Sequence, residues 1–465
     1  MHSRMLLLAL CVLMLVPGLV LATGTQERVV EPTVAPVFPD SDDVILRQGL
    51  PAVRDRRVNL EFLTIQSGDG FRTMEQFLNE VFSKYYPNIT VDAQPIESGQ
   101  LDDIVNTRLA AGSPVPVVQG GGYADRARWA RAGVLLDVTD MWEEYNLLEI
   151  IPEGVAAEMR VDGRYIALPY NSAVGSIMYY NLNLIRAAGA PEPPYETWDD
   201  FFAAAEYYVD ATGEPFFVDG YAPPWFGFVK SGHLAASYYG VEGFFRIANG
   251  RGTLEDFRQT LSFHKQLLVD YGNPDYMSMD SIAGSSEAAA RGDGAAAWAG
   301  GWGYPRFDGA GMVLDEEWMM TPMPAPKYGD LDGHIMIGAA TGFLAFKGSG
   351  FEDEARALLL APSLKESQLI IAPSLGFSPV RSDIDPAIIP EVGRYPITQR
   401  SAEWYATAGA VIDRNFNLLP PQVRSEMPPV YSSFFAGDIT LDDAAQELLD
   451  IQSEYQDEYV FEWGL

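Results

Sequence analysis

Residues 58–122 read VNLEFLTIQSGDGFRTMEQFLNEVFSKYYPNITVDAQPIESGQLDDIVNTRLAAGSPVPVVQGGG, and the hydrophobic period switches four times along them. Val58 to Leu63 has a strand pattern, and Phe71 to Tyr86 then places Phe71, Met74, Phe77, Leu78, Val81 and Phe82 at helical spacing. Pro87-Asn88 stops that helix before a second strand, Ile89 to Val91. Leu101 to Ala111 is a second amphipathic helix closed by Gly112, and Val115 to Val118 is a third strand running into Gln119 and three glycines. Strand, helix, strand, helix, strand in this order predicts a parallel α/β sheet.

The chain continues in the same manner. A strand is predicted at Ser176 to Asn181, and helices at Trp198 to Tyr208, around Phe244, at Thr253 to Tyr271 and, in small residues, at Ser285 to Ala297. The last third predicts helices at Phe351 to Leu360, Ser363 to Ile371 and Leu441 to Tyr459. With 465 residues, 48% of them hydrophobic, the chain can bury at least two cores.

Upstream of the folded body, MHSR leads into the apolar run MLLLALCVLMLV, with Pro17-Gly18 and then Val20-Leu21-Ala22 behind it. That is the order of a secretory signal with a cut after Ala22, and the run is shorter than a membrane span requires. Export follows as the expectation. Cys11, the single cysteine, sits inside the apolar run, which argues against a lipid anchor and leaves the mature chain without thiol ligands. Thr23 to Arg57, with Pro32, Pro36, Pro39 and Pro51 among acidic residues, reads as a linker or tether.

Charge and motif content narrow the function. Asp and Glu number 64 against 31 Lys and Arg, a net charge of −33, which excludes nucleic acid and anionic membrane surfaces as natural partners. Outside the signal, the histidines are His233, His264 and His334, far apart and without ligand or nucleophile motifs. No phosphate loop or dinucleotide fingerprint is present, so no metal and no cofactor is expected. Carboxylates are numerous enough that a glycosidase pair stays open as an alternative.

Asp162-Gly163-Arg164-Tyr165-Ile166-Ala167-Leu168-Pro169-Tyr170-Asn171, followed by Ile177 to Ile185 with Tyr179-Tyr180-Asn181, resembles the extracellular solute-binding proteins of carbohydrate ABC importers, the group related to maltose-binding protein. Ala188-Gly189 and Pro194 to Phe201, Ala295 to Trp302, Pro322 to Pro326 and the helices from Glu352 to Ile371 follow in that family's order. The resemblance implies a two-lobed periplasmic-binding-protein fold of type II, with a ligand cleft between the lobes and a hinge of crossing segments. It divides the chain into a signal (1–22), a linker (23–57), a first lobe (58–173 and 322–346) and a second lobe (174–321 and 347–465). It also implies a monomer that captures a sugar without transforming it and delivers it to the transmembrane subunits of an ABC permease. The acidic charge keeps a polyamine or another cation open as an alternative ligand.

Ligands of such sheets sit at the carboxyl ends of strands, which selects the loops after the first three strands. Gln66, Ser67, Glu97 and Gln119 carry the amide, hydroxyl and carboxylate groups that pair with sugar hydroxyls. Aromatic rings cover the apolar faces of sugars, and Trp302 among Gly300, Gly301 and Gly303 is the first choice. Trp225 after Pro223-Pro224, Tyr170 beside Asn171, and Tyr123 complete the predicted site.

Overall fold

The computed structural model describes residues 32–33, 38–97, 100–120, 123–172, 175–282, 284–338, 340–374, 379–384, 396–412 and 418–459. The predicted signal peptide lies outside them. The strands used below are β1 Val58–Thr64, β2 Ile89–Pro95, β3 Val117–Gln119, β4 Leu168–Asn171, β5 Ile177–Asn181, β6 Phe217–Val218, β7 Ala296–Ala299, β8 Trp318–Thr321 and β9 Thr341–Ala345. The helices are α1 Gly68–Phe77, α2 Leu101–Ala110, α3 Tyr123–Arg131, α4 Pro224–Tyr239, α5 Leu254–Asp270, α6 Pro421–Ala436 and α7 Leu441–Glu454.

Two sheets organise two lobes. The first has the order β2-β1-β3-β9-β4, and the second β6-β7-β5-β8. β1 pairs in parallel with both β2 and β3, as the switching period predicts. The sheet is nevertheless mixed, because β9 runs antiparallel to β3 and β4. In the second lobe β6 and β7 are parallel while β5 is antiparallel to β7 and β8. Every residue of β5 is buried, which is why its sequence, Ile-Met-Tyr-Tyr-Asn, does not alternate.

Each sheet has its own core. Leu60, Phe62, Met74, Phe77, Val117 and Phe343 centre the first. Met178, Trp198, Phe217, Val229 and Trp298 centre the second, and Phe257, Val423, Met427 and Leu448 extend it through a layer of helices. The chain crosses from the first sheet to the second between β4 and β5, back between β8 and β9, and to the second lobe again after residue 384. These are the crossing segments on which a two-lobed protein hinges.

Three expectations are corrected by the packing. The segment expected to be a linker is folded from residue 38 onward: Asp43 caps a short helix, Val44–Gln48, and Ile45, Leu46, Leu50 and Val53 enter the first core. Arg381 donates to Asp43 Oδ1 at 2.8 Å and ties it down. The helices Glu352–Leu360 and Lys365–Ser374, assigned by sequence to the second lobe, bury Leu358, Leu359, Leu360, Leu364 and Ile371 in the first core. Finally, the small-residue helix predicted at 285–297 ends at Arg291 and is followed by β7. Gly292 adopts φ +92°, and a Cβ on Gly294 would stand 2.1 Å from Val218, so two glycines turn the chain tightly into the sheet.

Candidate ligand-binding cleft

The carboxyl ends of β1 and β3 carry a relay of hydrogen bonds that runs across four neighbouring strands. Thr64 donates through Oγ1 to Gln119 Oε1 at 2.5 Å, Gln119 Nε2 donates to Thr341 Oγ1 at 2.9 Å, and that hydroxyl donates to Asn171 Oδ1 at 2.7 Å. Each threonine hydroxyl both donates and accepts, since the backbone N–H of Gln66 bonds Thr64 Oγ1 at 3.1 Å. Gln119 and Asn171 are buried, and their side chains lock the ends of β1, β3, β9 and β4 in register beneath the cleft.

Gln66 stands half-buried at this rim, and Ser67 is exposed at the start of α1 with its hydroxyl free of any capping bond. Gly120 follows Gln119 with φ +125°, where a side chain would meet Ile65 and Leu101 at about 3 Å. Tyr170 differs from the expectation of a cleft ring. It is fully buried, stacked on Phe343 with centroids 5.3 Å apart, and belongs to the first core. Tyr123 opens α3, and its side chain lies outside the described residues.

Opposite this rim, α4 presents Trp225 and Phe226 at its amino end. The Trp225 indole N–H donates to Glu97 Oε1 at 2.9 Å, a bond between a loop of the first lobe and a helix of the second. Phe226 meets Trp225 edge-on at 5.3 Å and Trp302 at 6.2 Å, so three rings form one wall. Trp302 is half-buried; its indole N–H donates to the Ile282 carbonyl at 2.8 Å. A Cβ on Gly300 would lie 2.1 Å from the Trp302 ring, so the glycine is the seat of the indole. Glu97, Trp225 and Trp302 are thus brought to one place, while Gln119, Asn171 and Tyr170 are buried within the first lobe.

A set of buried charges, absent from the sequence-based prediction, joins the lobes. Arg424 on α6 reaches Asp102 Oδ2 on α2 at 3.1 Å and Asp125 Oδ2 on α3 at 2.5 Å. The one sequence signal was Asp102 itself, an acid flanked by Leu101 and Val105 on the inward side of α2.

The second lobe also assembles Ser231, His264 and Asp219. Ser231 Oγ lies 2.8 Å from His264 Nδ1, and His264 Nε2 lies 2.9 Å from Asp219 Oδ2. All three are buried, with Ser231 in the middle of α4, and Lys230 pairs with the same carboxylate. Burial pushes the imidazole below its usual range, so it is neutral, with Nε2–H facing Asp219; the Ser231 hydroxyl, set against Nδ1, also donates to the Gly227 carbonyl at 3.0 Å. A nucleophile needs a reachable oxygen and an oxyanion site, and this serine has neither solvent access nor a free face. Among the described residues no group of three or more His, Asp or Glu side chains is placed to hold a metal, and no helix is long and apolar enough to cross a membrane.

Comparison with known proteins agrees with the two-lobed fold. The family of bacterial extracellular solute-binding proteins matches residues 66–360. An uncharacterized ABC transporter extracellular-binding protein of Pyrococcus horikoshii is 25% identical over 259 residues, covering 54% of this chain and 57% of that relative. A chitin oligosaccharide binding protein superposes with TM-score 0.73 at 21% identity, covering 86% of this chain and 98% of its own. A maltose/maltodextrin-binding domain from Bdellovibrio bacteriovorus bound to maltotriose gives 0.67 at 15% identity, with 86% and 100% covered. A sugar transporter protein from Bacillus licheniformis in complex with stachyose gives 0.68 at 16% identity, with 86% and 99% covered.

Proposed function

The chain belongs to the bacterial extracellular solute-binding proteins, and from that premise we propose that it captures a neutral sugar or oligosaccharide between its lobes and passes it, unaltered, to an ABC permease. The observation that carries this reading is the Trp225–Glu97 bond beside the wall of Trp225, Phe226 and Trp302. It sets aromatic faces of the second lobe against a hydrogen-bonding rim of the first, and a pyranose presents those two kinds of surface. Gln66, Ser67, Glu97, Tyr123, Trp225 and Trp302 contact the ligand in this proposal, and Gln119, Tyr170 and Asn171 support the rim from behind.

The sugars named for the superposed proteins support the same ligand class. The basic and apolar opening of the sequence supports export, with residues 1–22 removed in this proposal and the mature protein acting outside the inner membrane. The sealed Ser231–His264–Asp219 set, which offers no reachable nucleophile, supports capture without turnover. The cation alternative draws on the −33 charge, but the buried acids Asp102 and Asp125 already hold Arg424, and the Glu97 carboxylate already accepts the Trp225 N–H.

A thermal-shift screen of the mature protein against chito-, xylo- and malto-oligosaccharides, free monosaccharides and spermidine tests the reading. A ligand that binds only the folded form at a hundredfold excess over its Kd adds about 2.7 kcal/mol. We expect one neutral oligosaccharide series to raise the melting temperature and spermidine to leave it unchanged. Stabilisation by spermidine alone overturns the sugar assignment.

A further inference from the structure

We infer that Arg424, Asp102 and Asp125 form a proton-linked latch between the lobes: the guanidinium of the second lobe docks on an acid pair of the first, and closure takes up a proton that opening releases. The latch rests on the proposed lobe closure but not on the identity of the ligand.

The three groups are fixed to opposite bodies. Asp102 follows Leu101 on α2, whose Leu101 and Val105 are buried in the first core, and Asp125 precedes Ala127 and Trp129 of the same core on α3. Arg424 lies between Val423 and Met427 on α6, both in the helical layer of the second lobe. The side chain of Arg424 is 5% exposed and those of the acids 11% and 2%. Only a closed arrangement holds all three out of water, and any hinge opening that withdraws α6 returns them to it.

Their charges do not balance. Three carboxylates face two guanidiniums: Asp102 and Asp125 share Arg424 at short range, Arg128 adds a longer contact to Asp125 Oδ1 at 3.5 Å, and Glu458 is the third acid. Glu458, from the turn after α7, sets its charge against that of Arg128. Arg126, also on α3, is turned aside to donate to the Glu158 carbonyl at 3.0 Å. An ionised acid kept from water next to a like charge binds a proton instead. Burial first and the neighbouring Asp125 charge second, against the pull of Arg424, push Asp102 up to about 8.

The sign of the linkage follows. In the open form a hydrated Asp102 titrates near the ordinary carboxylate value of about 3.9. The closed form binds the proton more tightly, so the contribution to closure is fully present below that ordinary value and is lost as pH rises through about 8. For one proton, the closed-to-open ratio changes by at most about tenfold per pH unit inside that window.

The test needs no sugar. The full chain carrying Cys11→Ser, Gln76→Cys and Gln446→Cys takes one spin label on each lobe, and pulsed dipolar spectroscopy reads the closed fraction from pH 5 to 9. We expect that fraction to fall as pH rises. In Asp102→Asn, which keeps the shape and cannot titrate, it should stay constant over the same range. Arg424→Gln should be more open than the wild type at pH 6. A wild type without pH response, an unchanged response in Asp102→Asn, or an Arg424→Gln protein as closed as the wild type each overturns the latch. Because no ligand is present, such a failure leaves the carbohydrate reading standing, and a failed sugar screen leaves the latch standing.

Discussion

Replacing Lys230 with methionine is expected to destabilise the protein by about 3–5 kcal/mol at neutral pH, the usual effect of breaking a buried ion pair from one side. Lys230 is fully buried, bonded to Asp219 and, at 3.1 Å, to Ser285 Oγ. The same carboxylate faces His264 Nε2 and accepts the Gly220 N–H at 2.8 Å. Burial pushes Asp219 upward, but the Lys230 charge and the hydrogen bond from neutral His264 outweigh it and hold the acid below the ordinary carboxylate range. A depressed carboxyl contributes stability above its unfolded value and loses it as pH falls through the folded one.

Methionine would leave Asp219 charged and sealed in, so in the variant the acid instead gains by taking a proton. The deficit should therefore shrink as pH falls from 8 to 5. Adding Asp219→Asn to Lys230→Met should recover part of the loss, since the stranded charge is removed as well. Urea denaturation followed by circular dichroism reads these differences; equal stability of Lys230→Met and wild type at pH 8 contradicts the prediction.

Trp302→Ala is expected to weaken oligosaccharide binding tenfold or more, which is about 1.4 kcal/mol, while the lobes stay folded. The ring is half-buried and held at three points: its N–H on the Ile282 carbonyl, its edge on Phe226 and its face over Gly300. Such fixation before binding spares the ligand the entropy of ordering a platform. Gly300→Ala is the sharper control, because it keeps the indole and only lifts it from its seat. It should weaken binding in the same direction, and calorimetric affinities unchanged in both variants would remove Trp302 from the site.

The alternation of period from Val58 to Gln119 made the first sheet legible, because each of its parallel strands is followed by its own helix. Trp302 and Trp225 were legible as rings in places where glycine and proline give a core little reason to keep them. Gln119, Asn171 and Tyr170 read in the sequence as ligand contacts, and nothing local marks them as buried. What buries Gln119 is a pair of hydroxyls, one of them on Thr341, 222 residues along the chain. Arg424 is 322 residues from Asp102, so no local pattern could show their contact.

Packing decided the remaining differences in the same way. In α6 Pro428 and Pro429 mask the helical period, yet Val423, Met427 and Tyr431 give it a buried stripe. The stretch 38–57 looked like a tether because prolines mask the few apolar residues it delivers to the first core. Small residues at 285–299 suit a helix and a crowded central strand equally, and the turn at Gly292 and Gly294 separates the two.

The central claim is capture without transformation, and one calorimetric titration tests it most directly. The mature protein is titrated at pH 7 with the oligosaccharide that most raises its melting temperature, and the sugar is then recovered and sized by chromatography. We predict binding of one sugar per chain and recovery of the sugar at its original length. Shortened sugar, or heat with spermidine and none with any oligosaccharide, would contradict the account.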